Sequence, residues 1–220
     1  MKQSNILKFK ILFWCMILFS MPALTNAQCL QQGTDIFGVG IRLGIYNTSI
    51  TELNPPAGAT NTTGTGRAGD VIYPFSFDRA ISDRITVGAQ FRYNSFIIGK
   101  DTSAQQLNVA WGIDVCPEAA FHFVRTQHTD LYIQLDAGYA YIKLANTNIN
   151  NQGVFTASGI AYGLELGARF YIGNHVGIAL NLAYSGYDYP SGTMEGGGST
   201  QNFSLLFTGT TYGIGLCYRW

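Results

Sequence analysis

Three features predict an all-β chain folded as an eight-stranded, antiparallel, up-and-down transmembrane β-barrel. Apolar side chains recur at every second position through eight segments, only 12% of the 220 residues are charged, and the connections alternate between long and short. An ordinary soluble domain is ~25% charged. Here 47% of residues are hydrophobic and 14% aromatic, too few polar groups to coat a large water-facing surface. Thirteen basic and thirteen acidic residues cancel, which argues against a nucleic-acid partner held by phosphate contacts. The many aromatics and low charge exclude intrinsic disorder.

Residues 1–27 read as a cleaved secretory signal. Lys2, Lys8 and Lys10 supply the positive start, Ile11 to Leu24 the apolar stretch, and Thr25-Asn26-Ala27 the cleavage site. Fourteen apolar-stretch residues fall short of the ~20 a spanning helix needs. The mature chain, 28–220, is expected to be one barrel domain of net charge −3. It offers no other run long and apolar enough for a helical span. Only helices and closed barrels cross lipid, so the mature chain is either soluble or a barrel.

The strands follow in order. Phe37, Val39, Ile41, Leu43 and Ile45 oppose Gly38, Gly40, Arg42 and Gly44. Val71 to Arg79 puts Tyr73, Phe75 and Phe77 on its apolar side, with Pro74 lacking a ladder donor. Ile85, Val87, Phe91 and Tyr93 oppose Thr86, Gly88, Gln90 and Arg92. Leu107 to Val115 opposes Asn108 to Cys116, and Leu131 to Tyr139 opposes Tyr132, Gln134 and Asp136. Ile160, Leu164, Leu166 and Phe170 oppose Glu165, Gly167 and Arg169. Ile178 to Tyr184 gives the seventh strand, and Tyr212 to Trp220 the eighth, opposed by Gly213, Gly215, Cys217 and Arg219.

Glycines and small residues make a poor coat against water but suit a cramped lumen, whereas large aliphatics suit lipid. The polarity is therefore inverted, apolar outward and polar inward. Long connections at 47–70, 98–106, 145–158 and 186–201 fall on one face, taken as extracellular. The short ones fall on the periplasmic side. Tyr93, Tyr141, Tyr162 and Tyr184 mark the outer lipid interface, joined by an inward Tyr46. Phe121, Phe123, Phe170, Tyr218 and Trp220 mark the inner interface.

On these residues the chain resembles the small eight-stranded outer-membrane barrels of the OmpA/OmpX-like family. The run from Phe75 through Asp78-Arg79 to Ala89 is similar to that family's second hairpin. The end Tyr218-Arg219-Trp220 resembles the terminal signal read by the barrel-assembly machinery, although Phe is the more usual last residue. The resemblance covers about 34–220. It implies residence in the outer membrane of a Gram-negative cell, with outer-membrane lipid as surroundings. No peptidoglycan-binding domain is expected after the barrel.

Alternation assigns Arg42, Arg92, Arg169 and Arg219 to the lumen with Asp78, Asp114, Glu118, Asp136 and Glu165. Eight strands enclose only enough space for side chains, and isolated charges there are costly. Hairpin spacing predicts two ion pairs, Arg92 with Asp114 and Asp136 with Arg169. The network of Arg42, Arg92, Asp114, Asp136, Glu165 and Arg169 is read as structural packing rather than an ion pathway. No catalytic set is expected. Barrel enzymes that modify lipid A use a His beside a Ser near the outer rim. Here His128 and His175 lie in periplasmic turns, and His122 points inward near Glu118. Cys29, Cys116 and Cys217 show no metal-ligand spacing, and no cofactor is expected. Cys29 could pair with Cys217, leaving one thiol over. The expected role is structural or surface interaction through the extracellular loops, with a lipid A-modifying enzyme or a narrow pore as alternatives.

Overall fold

The structure, a computed structural model, describes residues 29–53, 60–99, 108–145, 154–196 and 199–220. The leader therefore lies outside the described residues. Eight strands form one closed antiparallel ring: β1 (Asp35–Glu52), β2 (Thr63–Ser82), β3 (Ile85–Gly99), β4 (Asn108–Arg125), β5 (Thr129–Ala145), β6 (Val154–Ile172), β7 (Val176–Gly196) and β8 (Ser199–Arg219). Each strand bonds to its sequence neighbours, and β8 closes on β1.

The ring is staggered. From Gly44 the ladder runs through Asp70, Phe96, Ala110, Leu144, Phe155 and Met194 to Gln201. Gly44 itself bonds to Thr211, ten positions further along β8. Such a shear tilts the strands by roughly 35–45° and leaves room only for side chains.

The inside-out assignment is decided by exposure. Leu43, Leu166 and Ile214 are 44%, 52% and 53% exposed, whereas Arg42 and Glu165 are 7% and 1% exposed. Small lumenal residues make this possible. A Cβ on Gly167 would sit 2.0 Å from the Tyr132 ring, and one on Gly213 would sit 2.4 Å from the Arg42 stem. These glycines are the spaces that the larger lumenal side chains occupy.

Strands run well past the expected limits. They are 15 to 21 residues long, while crossing lipid takes ~9–11. Most of the segments 47–70 and 186–201 is therefore strand, not loop, and 145–158 is strand at Ala145 and over 154–158, its middle lying outside the described residues. The connection 98–106 begins inside β3, and the remainder of it lies outside the described residues. The physical reason is a second change of polarity. Outward positions turn polar above Ile45 on β1 (Asn47, Ser49) and above Tyr212 on β8 (Thr210, Thr208). Inward positions turn apolar at the same level, with Tyr46, Phe96, Tyr187 and Phe207 buried. Above the membrane water replaces hydrocarbon, so the barrel wall reverts to the polarity of a soluble protein. Each change of sign looks like a strand end in the sequence.

Three prolines sit where the ladder lapses. Pairing of β1 with β2 skips Tyr73 and Pro74, between Val39↔Phe75 and Arg42↔Ile72. Pairing of β4 with β5 skips Cys116 and Pro117, and that of β7 with β8 skips Pro190. A residue without an N–H is tolerated where no partner needs one. Pro74 thus interrupts the pairing of β2 with β1 while it stays opposite Arg92 in the ladder of β2 with β3.

Candidate functional site

The lumen is layered. At the periplasmic mouth, residues 29–34 lie across the opening. Cys29 and Leu30 are buried against Ile36, Ala80, Tyr171 and Cys217. The strap is pinned by Cys29 N–H donating to Thr126 O at 3.1 Å and by Gly33 N–H donating to Ala80 O at 2.8 Å. Arg219 holds three elements together. Its guanidinium donates to Cys29 O (2.7 Å), Gln127 O (3.2 Å) and Asn174 O (2.6 Å), and lies 3.9 Å over the Tyr171 ring. All three described cysteines are free thiols, so the Cys29–Cys217 pairing does not occur in this structure. Both thiols border Tyr171. Cys29 Sγ, however, faces Thr129 O at 3.7 Å, while Cys217 packs on Gly177. Burial, reinforced by the charge of Asp130, pushes the Cys29 thiol up to about 12, which keeps it protonated at neutral pH.

Above the strap lies the charged layer. Arg92 Nε meets Asp114 Oδ1 at 2.5 Å, and its Nη1 meets Asp136 Oδ1 at 3.0 Å. The same guanidinium donates to Cys116 Sγ at 3.1 Å, and Asn94 donates to Asp114 Oδ2 at 2.9 Å. Asp136 therefore belongs to Arg92 and not to Arg169. The hairpin spacing sets residues near 144 opposite those near 159, whereas Leu144 pairs with Phe155, four positions away: Asp136 stands opposite Gly163, and Asp130 opposite Arg169. Arg169 instead pairs with Asp78 (3.0 Å) and Asp130 (3.5 Å), and its guanidinium lies 4.3 Å over the Tyr132 ring. Across the lumen, Arg42 Nη1 reaches Glu165 Oε2 at 2.8 Å. Glu165 also accepts from Tyr132 OH (3.1 Å) and from Asn181.

His122 lies with Asp130 and Thr86 rather than with Glu118. Its Nδ1 is 2.7 Å from Asp130 Oδ1, and its Nε2 is 3.1 Å from Thr86 Oγ1. Glu118 accepts from Gln134 at 2.6 Å instead. Parity could have found Asp130, which sits at the periplasmic start of an inward row. The chain Asp130–His122–Thr86 has the order of a nucleophile relay, with the carboxylate orienting the imidazole. All three members are buried to 1% or less. Through Asp130 Oδ2 the chain stands 3.5 Å from the Arg169 guanidinium. Among the described residues no group of three or more His, Cys, Asp or Glu is placed to hold a metal ion.

The extracellular half of the lumen is aromatic. Phe96 stacks on Phe207 at 5.2 Å between ring centroids, and Tyr187 meets Phe96 edge-on at 5.5 Å. Tyr46 donates to or accepts from Ser185 at 3.1 Å, and Tyr187 OH donates to Asn94 at 3.2 Å, joining this layer to the charges below. The space left amid the charged layer, bordered by Arg42, Gln90, Gln134, Glu165 and Arg169, is about 30 Å³, enough for a water or two. Outside, Tyr93, Tyr184, Tyr212 and Trp111 are exposed toward the extracellular side. Phe121, Phe170, Tyr218 and Trp220 are exposed toward the periplasmic side.

A closed ring whose exposed band is apolar and whose enclosed face carries ion pairs defines an integral outer-membrane β-barrel protein. The family follows from the sequence. The model of the outer membrane protein beta-barrel domain matches residues 11–219, and the chain belongs to that family. Among curated proteins none matches the chain. Among solved structures it is similar to the outer membrane protein OprG from Pseudomonas aeruginosa, with 13% identity and a TM-score of 0.63, over 87% of this chain and 97% of that one. It is also similar to the outer membrane protein AlkL in lipid bilayers, with 13% identity and a TM-score of 0.52, over 91% and 95%. At such identities the likeness is one of fold. The protein resides in the outer membrane of the Gram-negative type, surrounded by its lipid.

Proposed function

We propose that this barrel is a non-enzymatic outer-membrane protein. It acts as a structural element and through its extracellular end, its lumen closed by its own side chains. One observation carries the reading. From periplasm to exterior the axis is occupied in turn by the strap with Arg219, by the arginine–carboxylate layer and by the aromatic layer. The space bordered by Arg42, Gln90, Gln134, Glu165 and Arg169 is about 30 Å³. A pore needs a continuous water path, and an enzyme needs a reachable nucleophile. The working surfaces are then the outer ends of β1–β2, β3–β4, β5–β6 and β7–β8, within 47–70, 98–106, 145–158 and 186–201.

Purified protein in planar bilayers is expected to show no steady conductance above the lipid baseline. Stable unitary steps would replace this reading with the narrow pore. A deletion strain is expected to keep its lipid A acylation pattern, and a changed pattern would replace it with the enzyme.

Residues 1–27 are read as removed on export, with the barrel formed by 28–220. Tyr218 and Trp220 face outward at the end of β8, their rings tilted by 36° with centroids 5.7 Å apart. We read them as the signal presented to the barrel-assembly machinery. Trp220→Ala is expected to lower the folded, heat-modifiable fraction in the outer membrane several-fold. An unchanged folded fraction would remove that role.

A further inference from the structure

Outward side chains on the three strands β8, β1 and β2 change character at one level. Below it lie Ile45, Tyr73 and Tyr212; above it lie Asn47, Thr65, Thr208, a single leucine, Leu206, and one cation, Arg67. Arg67 stands opposite Asn47 on β1 and Gly99 on β3. Among the described residues it has no carboxylate partner: the ion pairs of the structure use Arg42, Arg79, Arg92, Arg169 and His122. It borders a groove of about 410 Å³ on the outer wall, with Asn47, Ser49, Thr65, Leu206 and Thr208 around it. Directly beneath, the next outward position on β2 is Gly69, flanked by Ile45 and Ile97 on the neighbouring strands. A Cβ on Gly69 would meet nothing within 4 Å, so the apolar band carries an open notch under the arginine.

We propose that this groove and notch form a binding site for a phosphorylated glycolipid of the outer leaflet. Arg67 takes the phosphate, because a guanidinium presents paired donors that match phosphate oxygens. Asn47, Ser49, Thr65 and Thr208 supply hydroxyl and amide groups for the sugar. The notch over Gly69 accepts the upper part of an acyl chain between two isoleucines. The depth selects the occupant. The groove opens where hydrocarbon gives way to polar headgroup, on the side of the long hairpins. A phosphate on an acylated sugar satisfies the cation, the hydroxyls and the apolar step at once. Lys143, the outward cation on β5, stands between Trp111 and Thr156 and borders neither this groove nor the notch, so it serves as an internal comparison.

The inference rests on the extracellular placement of these hairpins, and two measurements keep the claims apart. In detergent micelles the folded barrel is titrated with a bisphosphorylated, multiply acylated glucosamine disaccharide, with its dephosphorylated form, and with phosphatidylglycerol. The first is expected to bind at least tenfold more tightly than either of the others. Arg67→Gln is expected to lose at least tenfold in affinity for it. Gly69→Leu, which fills the notch, is expected to lose several-fold, and Lys143→Gln to lose less than twofold. Unchanged affinity in Arg67→Gln, or equal binding of the dephosphorylated form or of phosphatidylglycerol, would overturn the site. Thr200→Cys, exposed at the same end of the barrel and outside the groove, is expected to react with an impermeant maleimide on intact cells. Absence of labelling would overturn the orientation, and with it the outer-leaflet assignment, whatever the titration shows.

Discussion

Replacing Arg92 with alanine is expected to destabilise the barrel by about 3–5 kcal/mol, the usual cost of breaking a buried charge pair from one side. Arg92 is 4% exposed and is the cation for two carboxylates, Asp114 and Asp136. The alanine leaves both acids without a counter-charge inside a narrow lumen. It also leaves Cys116 without its donor. For a chain of this length the change corresponds to a fall in melting temperature on the order of 10 °C. The measurement is the temperature at which the compact gel band converts to the unfolded one. Arg79 supplies the contrast. Its pair with Asp35 spans 3.6 Å and the arginine side chain is 62% exposed, so Arg79→Ala is expected to shift melting by no more than a degree or two. Equal melting of Arg92→Ala and wild type would show that the lumen charges are hydrated rather than packed.

Phe207→Ala is expected to cost a similar amount, about 3–5 kcal/mol, by a different mechanism. Phe207 is fully buried and touches Tyr46, Phe96, Tyr187 and Tyr189 ring to ring. Truncation opens a cavity that four other rings cannot close without leaving their rotamers. Leu206, the adjacent outward residue, is exposed, and Leu206→Ala is expected to change melting little. The loss lies in the extracellular half, while the arginine–carboxylate layer and the strap below remain intact. Phe207→Ala is therefore expected to melt lower and still to conduct no ions. A variant that melts lower and also opens a steady conductance would show that the aromatic layer alone closes the lumen.

The two effects divide along what was legible from residue order. Alternation is a local property, so the facing of Leu43, Leu166, Arg42 and Glu165 could be read position by position. So could the closed ring, because eight such segments in an apolar, weakly charged chain leave no alternative that satisfies every backbone group in lipid. The Arg92–Asp114 contact joins directly paired positions of adjacent strands, and its spacing was nearly right. On β5–β6 the strand ends lie inside the segment 145–158, which its changing polarity makes read as a loop, so the expected register missed by four residues: Asp136 lies with Arg92, and Arg169 with Asp78 and Asp130.

Partners across the lumen were beyond the sequence altogether. Arg42 and Glu165 sit on β1 and β6, which share no ladder, and only the closed, sheared ring brings them to 2.8 Å. The same holds for Arg219, whose acceptors are carbonyls of the strap and of two turns. The aromatic layer was hidden for another reason. Its residues alternate with threonine, serine and glycine in the order a soluble barrel uses, and next to a lipid-facing stretch that order reads as a loop. The sequence by itself determined which side of each strand meets hydrocarbon, because that depends on neighbours two positions away. That Arg42 meets Glu165, Arg92 meets Asp136, Arg169 meets Asp78 and Phe96 stacks on Phe207 was decided by closure of the ring, because those contacts join residues on strands that never pair.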